Sequence, residues 1–194
     1  MSTATVEAGW SWQSLLQAWA ETDVPTGWRA EITEGGITVT PPLSPAHNLI
    51  AAVVDEALRP GLPAGASVFQ TLGVRIEPAG RLYIPDLVVM PRDVLAVEDS
   101  SVPAEHALLV VEITSKENAD QDRRAKRWAY ARGGVALYLL IDRWADDGPA
   151  VTLFSDPHDG HYRRNVQVSF GENVTVPAPF NVDIDTADFP VPLR

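Results

Sequence analysis

Two acidic residues stand in apolar segments of the sequence, where a carboxylate is costly. Asp86 follows Pro85 within the segment Arg81–Val89, and Glu112 lies near the end of Ala107–Thr114. An ionised carboxylate in a buried strand needs a compensating charge, a metal or several hydrogen bonds. Two carboxylates at the ends of neighbouring strands suit Mg²⁺ or Mn²⁺, which prefer oxygen ligands and keep several waters. The sequence therefore predicts a metal site formed by Asp86 and Glu112.

A polar helix face follows the second of these segments. Asp122, Lys126 and Tyr130 are spaced four residues apart, so a helix over Asn118–Arg132 places all three on one face. An ammonium group on that face could orient or deprotonate a metal-bound water and neutralise charge on a phosphate. Asp, Glu and Lys are together sufficient for phosphodiester hydrolysis without a covalent nucleophile, because the cations activate the water and stabilise the transition state.

Each of these residues also has an ordinary structural interpretation. Asp86 alone could be a strand-end residue that accepts hydrogen bonds from the backbone. Asp122 and Lys126 could form a solvated salt bridge worth roughly a few tenths of a kcal/mol. His47, ahead of an apolar helix face, is more often a packed or capped histidine than a catalytic base. Glu112 is the hardest to explain in this way, since a glutamate is rarely buried without a partner.

Apolar spacing and turn residues predict an α/β arrangement around these residues. The strands Gly65–Ile76 and Arg81–Val89 should pair antiparallel across a turn at residues 77–80. The order strand, helix, strand from Ala107 to Ile141 predicts a parallel crossover. The remaining predicted elements are helices at Ser11–Glu21 and Pro45–Arg59, and strands at Trp28–Thr33, Ile37–Thr40, Val151–Phe154, His161–Val168 and Asn173–Ile184.

The composition is that of one globular domain. The chain has 194 residues, of which 45% are hydrophobic and 21% charged. We expect a helical extension over residues 1–24 and a single α/β domain over residues 25–194. The absence of cysteine excludes disulfides and thiolate ligands, so a bound metal would be a hard cation. The apolar runs fall far short of the roughly 20 residues that span a bilayer, and residues 1–13 lack a secretion signal, so we expect a cytoplasmic protein without membrane segments.

The net charge weighs against a broad surface for nucleic acid. The formal charge is −11 at pH 7, whereas contacts of Lys and Arg with phosphates supply most of the affinity for nucleic acids. Local basic clusters remain at residues 123–127 and 163–164. A confined nucleic-acid site is still compatible with this charge, because the placement of charges matters more than their sum.

Several short motifs occur in a fixed order along the chain: Pro85-Asp86, Val111-Glu112-Ile113-Thr114-Ser115, Asp122-x-x-x-Lys126-x-x-x-Tyr130, Gly133-Gly134 and Tyr138-Leu139-Leu140-Ile141-Asp142. With these motifs, the segment from Glu31 to Asp142 resembles the Uma family of endonucleases, a branch of the PD-(D/E)XK nuclease superfamily. The resemblance implies a restriction-endonuclease-like α/β fold, in which helices flank a mixed central β-sheet. The N-terminal helix and the C-terminal strands would be additions to that fold.

The resemblance also implies roles for particular residues. Asp86 and Glu112 correspond to the metal-binding carboxylates of the superfamily. The superfamily's lysine usually lies two residues after the glutamate, where this chain has Thr114. This departure fits the family's relocated lysine on the following helix, which is Lys126 here, and it leaves Lys116 as a competing candidate.

Two upstream residues, Glu31 and His47, match family positions that line the same cleft. Together these residues predict a Mg²⁺-dependent endonuclease or related phosphodiesterase that acts on nucleic acid, with DNA as the first candidate. An alternative is a catalytically weak nuclease-fold protein that serves as a dimeric binding or regulatory module. A metal-dependent hydrolase with another substrate is a third alternative, since a fold supports many reactions. We expect a homodimer, because twofold dimers are the commonest oligomers and a duplex cut on both strands favours two active sites.

Overall fold

The computed structural model of the protein describes residues 10–96 and 99–192. Its helices are α1 (Trp12–Ala20), α2 (Pro45–Leu58) and α3 (Arg127–Arg132), and a π-helical segment at Gln121–Lys126 leads directly into α3. Short 3₁₀ turns lie at Arg59–Gly61, Glu77–Ala79, Arg92–Leu95 and Ala104–His106. The strands are β1 (Arg29–Thr33), β2 (Gly36–Thr40), β3 (Ala66–Phe69), β4 (Gly73–Ile76), β5 (Arg81–Tyr83), β6 (Leu87–Pro91), β7 (Ser101–Pro103), β8 (Leu109–Ile113), β9 (Leu137–Asp142), β10 (Ala150–His158), β11 (His161–Ser169), β12 (Asn173–Val176) and β13 (Val182–Asp185). Within the described part of the chain, no helix has the length and apolar character needed to cross a membrane.

The strands form two mixed sheets and a C-terminal hairpin. The larger sheet has the order β11-β10-β9-β8-β6-β3, and the smaller one has the order β2-β1-β5-β4-β7. Strands β8 and β9 are parallel and are joined by the helical segment that carries Lys126, as the sequence predicted. The expected α/β fold with a mixed sheet and flanking helices is thus confirmed, and β12 and β13 form the extra C-terminal hairpin.

The two long antiparallel strands predicted around residues 65–89 are each divided between the two sheets. The first splits into β3 and β4 at Thr71, which has a φ of 57°, and the second splits into β5 and β6 around Pro85. Strand β3 pairs with β6 in the larger sheet, whereas β4 pairs with β5 in the smaller sheet. The prediction of two continuous strands was therefore wrong, because a left-handed residue and a proline without an N–H group interrupt both ladders. Asp86 lies at this break and not inside a strand.

Alternate residues of β8 face opposite layers of the core. Val111 packs in the layer that contains α2 and the C-terminal hairpin, whereas Val110 packs in the layer that contains Tyr130 of α3. Because side chains alternate along a strand, Glu112 projects toward the same side as Val110. The helix with Lys126 lies on that side, so the fold brings Glu112 and Lys126 to one face of the sheet.

Helix α2 begins as the sequence indicated. The Ser44 hydroxyl accepts a hydrogen bond from the His47 N–H at 3.3 Å, and Pro45 occupies the first turn, where a missing N–H costs nothing. Ile50, Val54 and Leu58 are fully buried against the larger sheet. This packing fixes the position of His47, which lies in the first turn of the helix.

Candidate active site

Lys126 lies among three carboxylates. Its Nζ atom is 3.0 Å from Glu112 Oε2, 3.3 Å from Asp122 Oδ1 and 3.5 Å from Glu31 Oε1. The side chain is only 4% exposed, so these carboxylates replace the hydration that a surface ammonium group would have. The structure thus brings together Lys126, Glu112, Asp122 and Glu31, which the sequence had placed on a strand end, a helix face and an upstream strand.

Tyr130, one turn further along the helix, completes the contacts of Glu112. Its hydroxyl donates a hydrogen bond to Glu112 Oε1 at 2.6 Å, so each oxygen of this carboxylate has a protein partner. The Tyr83 ring lies beneath the ammonium, with Lys126 Nζ 5.3 Å from the ring centre. Aromatic groups therefore enclose the Lys126–Glu112 pair on the side of the core.

Asp86 is held at the break between β5 and β6 by three groups. Asp86 Oδ1 lies 3.1 Å from a guanidinium nitrogen of Arg29, and Asp86 Oδ2 accepts a hydrogen bond from the Ile113 N–H at 2.8 Å. His47 Nε2 is also 2.9 Å from Asp86 Oδ2, although the angle is poor for a hydrogen bond. The bond to Ile113 places Asp86 beside the end of β8, next to Glu112 in sequence.

Glu31 links the two halves of this cluster. Its Oε1 atom accepts a hydrogen bond from the Ile84 N–H at 2.8 Å, and the same oxygen faces Lys126. Glu31 is therefore fixed at the same chain break that carries Asp86. We call the four carboxylates Glu31, Asp86, Glu112 and Asp122 the acidic cluster.

Asp122 differs from the other members of the acidic cluster in its surroundings. Asp122 is fully buried, and neither oxygen of its carboxylate makes a hydrogen bond with a described residue. Its backbone carbonyl accepts a hydrogen bond from the Tyr138 hydroxyl at 3.0 Å, which fastens the π-helical segment to β9. A buried carboxylate without donors is costly, and the nearby ammonium of Lys126 is its main compensation.

The charges in this cluster shift one another's pKa values. Burial raises the pKa of Glu112 well above its ordinary value, and this effect outweighs the opposing charge of Lys126. Burial likewise raises the pKa of Asp122 to about 7. Burial alone would lower the pKa of Lys126, but the charges of Glu112, Glu31 and Asp122 raise it well above its usual range. Lys126 therefore stays charged, while Glu112 and Asp122 bind protons more tightly than they would in water.

Asp86 behaves in the opposite way to Glu112. Burial would raise the pKa of Asp86, but the contacts with His47 and Arg29 outweigh this effect and hold the pKa below its ordinary value. Asp86 is therefore ionised at neutral pH. The two carboxylates predicted to bind a metal thus differ in their affinity for a proton.

The residues present fit a hard divalent cation. Four carboxylates face two permanent cations, Arg29 and Lys126, so the fully ionised cluster would carry an excess of two negative charges. Each carboxylate oxygen has two lone pairs and can accept a cation beside its present partner. Within residues 10–96 and 99–192, no three His, Asp or Glu side chains already converge as a metal site. Mg²⁺ needs only one or two carboxylates, since water and phosphate supply its other ligands.

Lys116, the competing lysine, lies apart from the acidic cluster. It is exposed in the loop after β8, and its Nζ atom is 5.9 Å from the centre of the Trp144 ring. Its ammonium group is within 4.0 Å of no described carboxylate. The geometry therefore brings Lys126, and not Lys116, to Glu112.

Two cavities open beside the acidic cluster. One, of about 460 Å³, is lined by Glu31, His47 and Lys126, and we call it the lysine cavity. The other, of about 510 Å³, is lined by Asp86, and Arg29 lines both cavities. Glu112 lines neither, so Lys126 lies at the solvent side of the Glu112–Lys126 pair.

Sequence reasoning missed Arg29 and Tyr83. Arg29 and Glu31 are two residues apart on β1, so their side chains point to the same side of the strand. This spacing could have identified Arg29 as a neighbour of the site. Tyr83 has no such signal, because an aromatic residue in an apolar strand is ordinary core. Its contact with Lys126 depends on how the two sheets pack.

The fold and this charged cluster define a protein of the restriction-endonuclease-like class. A solved structure described as "a putative nuclease belonging to DUF820" from Anabaena variabilis ATCC 29413 is similar, with a TM-score of 0.61 and 17% sequence identity. The match covers 86% of this chain and 90% of that one, so the two proteins share a fold over most of their length.

The family can also be stated. The model of the Uma2 family, described as "Putative restriction endonuclease", matches residues 12–188, and the chain therefore belongs to this family. The match includes α1 and the C-terminal hairpin, which the sequence had suggested were additions to the nuclease fold. No curated protein matches the sequence.

Proposed function

We propose that this protein is a metal-dependent nuclease that hydrolyses phosphodiester bonds of nucleic acid, with DNA as the first candidate. Asp86 and Glu112 would hold Mg²⁺ or Mn²⁺, and Lys126 would act beside them. The observation that carries the proposal is the buried Lys126 ammonium, which is 3.0 Å from Glu112 and lines the lysine cavity together with Glu31 and His47. Membership of the Uma2 family supports the same reaction class.

A divalent metal, when bound, would lower the pKa of its water and stabilise charge on the phosphate. The chain's own residues would position the reaction. The fixed charge of Lys126 would hold a phosphate oxygen or the attacking water at the cavity wall. Arg29 and His47 hold the Asp86 carboxylate in place, so its orientation is set before a ligand arrives.

Purified protein incubated with single- and double-stranded DNA and RNA tests this proposal. The parent should cleave at least one of these in Mg²⁺ or Mn²⁺ and none in EDTA. Glu112→Gln keeps the side-chain volume and removes the charge, so it should lose activity by a large factor. Lys116→Gln is the matched control and should retain activity, because Lys116 lies away from the acidic cluster. Cleavage that survives Glu112→Gln or EDTA would contradict the assignment.

A specific observation favours the second candidate, a catalytically weak module that binds a partner as a dimer. Both oxygens of Glu112 already have protein partners, Lys126 and Tyr130, and the net charge of −11 disfavours a wide contact with nucleic acid. This candidate predicts no cleavage of any of the four substrates with either metal. Sedimentation over a range of protein concentrations would test the expected homodimer independently.

A further inference from the structure

The lining of the lysine cavity combines two kinds of residue. Its apolar members include Trp28, Val39, Pro42 and Leu43. Its polar members include Asn118, Gln121, Lys126 and Arg143. A cavity lined by both a flat aromatic group and cations matches the two halves of a nucleotide, a base and a phosphate.

Arg143 is a cation in the lining of the lysine cavity that is available to a ligand. Arg29 is paired with Asp86, and Lys126 faces three carboxylates, but Arg143 forms no ion pair with any residue in the described ranges 10–96 and 99–192. Its only side-chain hydrogen bond there is a long one, 3.4 Å from Nε to the Pro190 carbonyl. Burial lowers the pKa of Arg143, so the loss of water around its charge is not compensated by a neighbouring anion.

The position of Arg143 is nevertheless well defined. Its backbone N–H donates to the Thr114 hydroxyl at 3.0 Å, directly after β9 and beside the end of β8. The Arg143 backbone is therefore held beside the ends of β8 and β9, and the residue lines the lysine cavity. A planar guanidinium with free donors can bind two oxygens of one phosphate.

Trp28 is an aromatic residue among the apolar members of this lining. It is 39% exposed, and it lines both cavities beside the acidic cluster. Its backbone N–H donates to the Pro25 carbonyl at 2.9 Å, which anchors the residue just before β1. The partly exposed residue is therefore accessible to a ligand in the lysine cavity.

We propose that the lysine cavity binds one nucleotide of a single strand, with its phosphate at Arg143 and its base against Trp28. The nucleic-acid nature of the ligand rests on the proposed function. A base stacks on an aromatic ring whatever its identity, so this site would be tolerant of sequence.

The choice of a single strand over a duplex follows from shape and charge. A cavity of about 460 Å³ can take one unpaired nucleotide, whereas bases in a duplex are paired and stacked on one another and cannot reach Trp28. A duplex also has the higher charge density, and a protein of net charge −11 has few cations to neutralise it. Stacking supplies affinity that does not depend on charge.

Binding can be measured apart from cleavage. A fluorescein-labelled DNA 12-mer, single-stranded or annealed to its complement, is titrated with protein in EDTA and followed by anisotropy. The parent should bind the single strand at least several-fold more tightly than the duplex. Arg143→Gln and Trp28→Leu should each weaken binding of the single strand by roughly tenfold.

Matched variants control for charge and for loss of an exposed aromatic residue. Arg92→Gln removes an exposed arginine in the 3₁₀ turn after β6, and Trp10→Leu removes an exposed tryptophan. Neither residue lines a cavity beside the acidic cluster, so both variants should bind like the parent. Arg143→Lys and Trp28→Phe should restore part of the affinity. These two conservative variants also carry the test if the larger changes impair folding.

The outcomes separate this inference from the proposed function. The inference is overturned if Arg143→Gln and Trp28→Leu lose no more affinity than the controls. It is also overturned if the parent prefers the duplex. Both results leave the nuclease proposal intact. Selective loss of binding in a protein that cleaves nothing supports the inference and contradicts the nuclease proposal. A parent that binds neither DNA probe overturns the inference.

Discussion

At the residue scale, the charge balance of the acidic cluster depends on one ammonium group. Lys126 faces Glu112, Asp122 and Glu31, and none of these carboxylates is exposed to more than a small extent. Loss of one partner from a buried ion pair leaves the other charge without compensation. Lys126 is therefore expected to contribute to stability as well as to the chemistry.

Lys126→Met should lower the free energy of unfolding by about 3–5 kcal/mol at pH 7, since it leaves buried carboxylates without a cation. Lys116→Met, at an exposed position, should change it by less than about 0.5 kcal/mol. Urea unfolding of both variants measures the difference. The loss in Lys126→Met should shrink at pH 5, because the variant's carboxylates can then bind protons. A pH-independent loss would indicate that the lysine acts through its packing alone.

Glu112→Gln should have the opposite effect in the absence of metal. Burial raises the pKa of Glu112 in the folded protein. The protonated group therefore contributes its full share to the free energy of unfolding below pH 4.5, the ordinary pKa, and this contribution is lost as the pH rises through the folded-state pKa. Glutamine carries no charge, and Lys126 keeps Glu31 and Asp122 as partners. The variant should therefore be equally stable or about 1 kcal/mol more stable in EDTA at pH 8, with a smaller difference at pH 5.

Urea unfolding at both pH values measures this difference, and thermal melts with Mg²⁺ complete the comparison. Metal that binds only the folded state raises the melting temperature by mass action, and the rise should be large in the parent and small in Glu112→Gln. A variant that is destabilised by about 1–3 kcal/mol in EDTA would identify Glu112 as a structural residue. The absence of a Mg²⁺ shift in the parent would contradict the metal site.

At the scale of elements, the helix that carries Lys126 is positioned by the way it ends. Gly133 follows α3, and a Cβ atom at this position would lie 2.8 Å from Ile76 Cγ2 and 3.1 Å from Ala104 Cβ. The end of the helix thus packs directly on β4 and on the turn after β7. A side chain here would push the helix away from the sheet, and Lys126 and Tyr130 with it.

Gly133→Ala should destabilise the protein by about 1–3 kcal/mol through overpacking. Gly35→Ala is the matched control, because a Cβ atom there meets nothing within 4 Å. Chemical unfolding of the pair measures the difference. Oligonucleotide binding or cleavage by the folded fraction of Gly133→Ala should also fall. Equal stability of the two variants would show that the helix end has room to shift.

The elements that the sequence predicted best are those with strong local signals. Helix α2 has a serine cap, a first-turn proline and a buried stripe, and its predicted end at Arg59 differs from the observed end by one residue. The break of the strand pair near Thr71 was missed, because β-branched and apolar residues stand on both sides of it and tertiary packing sends β3 and β4 to different sheets.

At the scale of the whole molecule, the sequence indicated the carboxylates and Lys126 but not the other groups that compensate the buried charges. Asp86 and Glu112 were identified because a charge in an apolar segment is a local anomaly. Arg29 is 57 positions away from Asp86 in the chain but contacts it in the fold. Tyr83 and Lys126 likewise meet only because the two sheets and the helix pack together. Such partners depend on packing, which local spacing does not reveal.

The charge of the whole molecule also limits how it can hold nucleic acid. The chain has 15 Lys and Arg residues against 26 Asp and Glu, and two of the cations at the acidic cluster, Arg29 and Lys126, are already paired.

Binding to a single strand releases counterions in proportion to the phosphates neutralised, with a slope of log K against log salt of about −0.7 per phosphate. Contact through Arg143 and a few neighbours predicts a slope between about −1 and −2. Anisotropy titrations of the 12-mer from 50 to 300 mM NaCl would measure it, and Arg143→Gln should reduce its magnitude by about 0.7. A slope steeper than about −4 would require an extended basic surface and would contradict a confined site that depends on one arginine and one tryptophan.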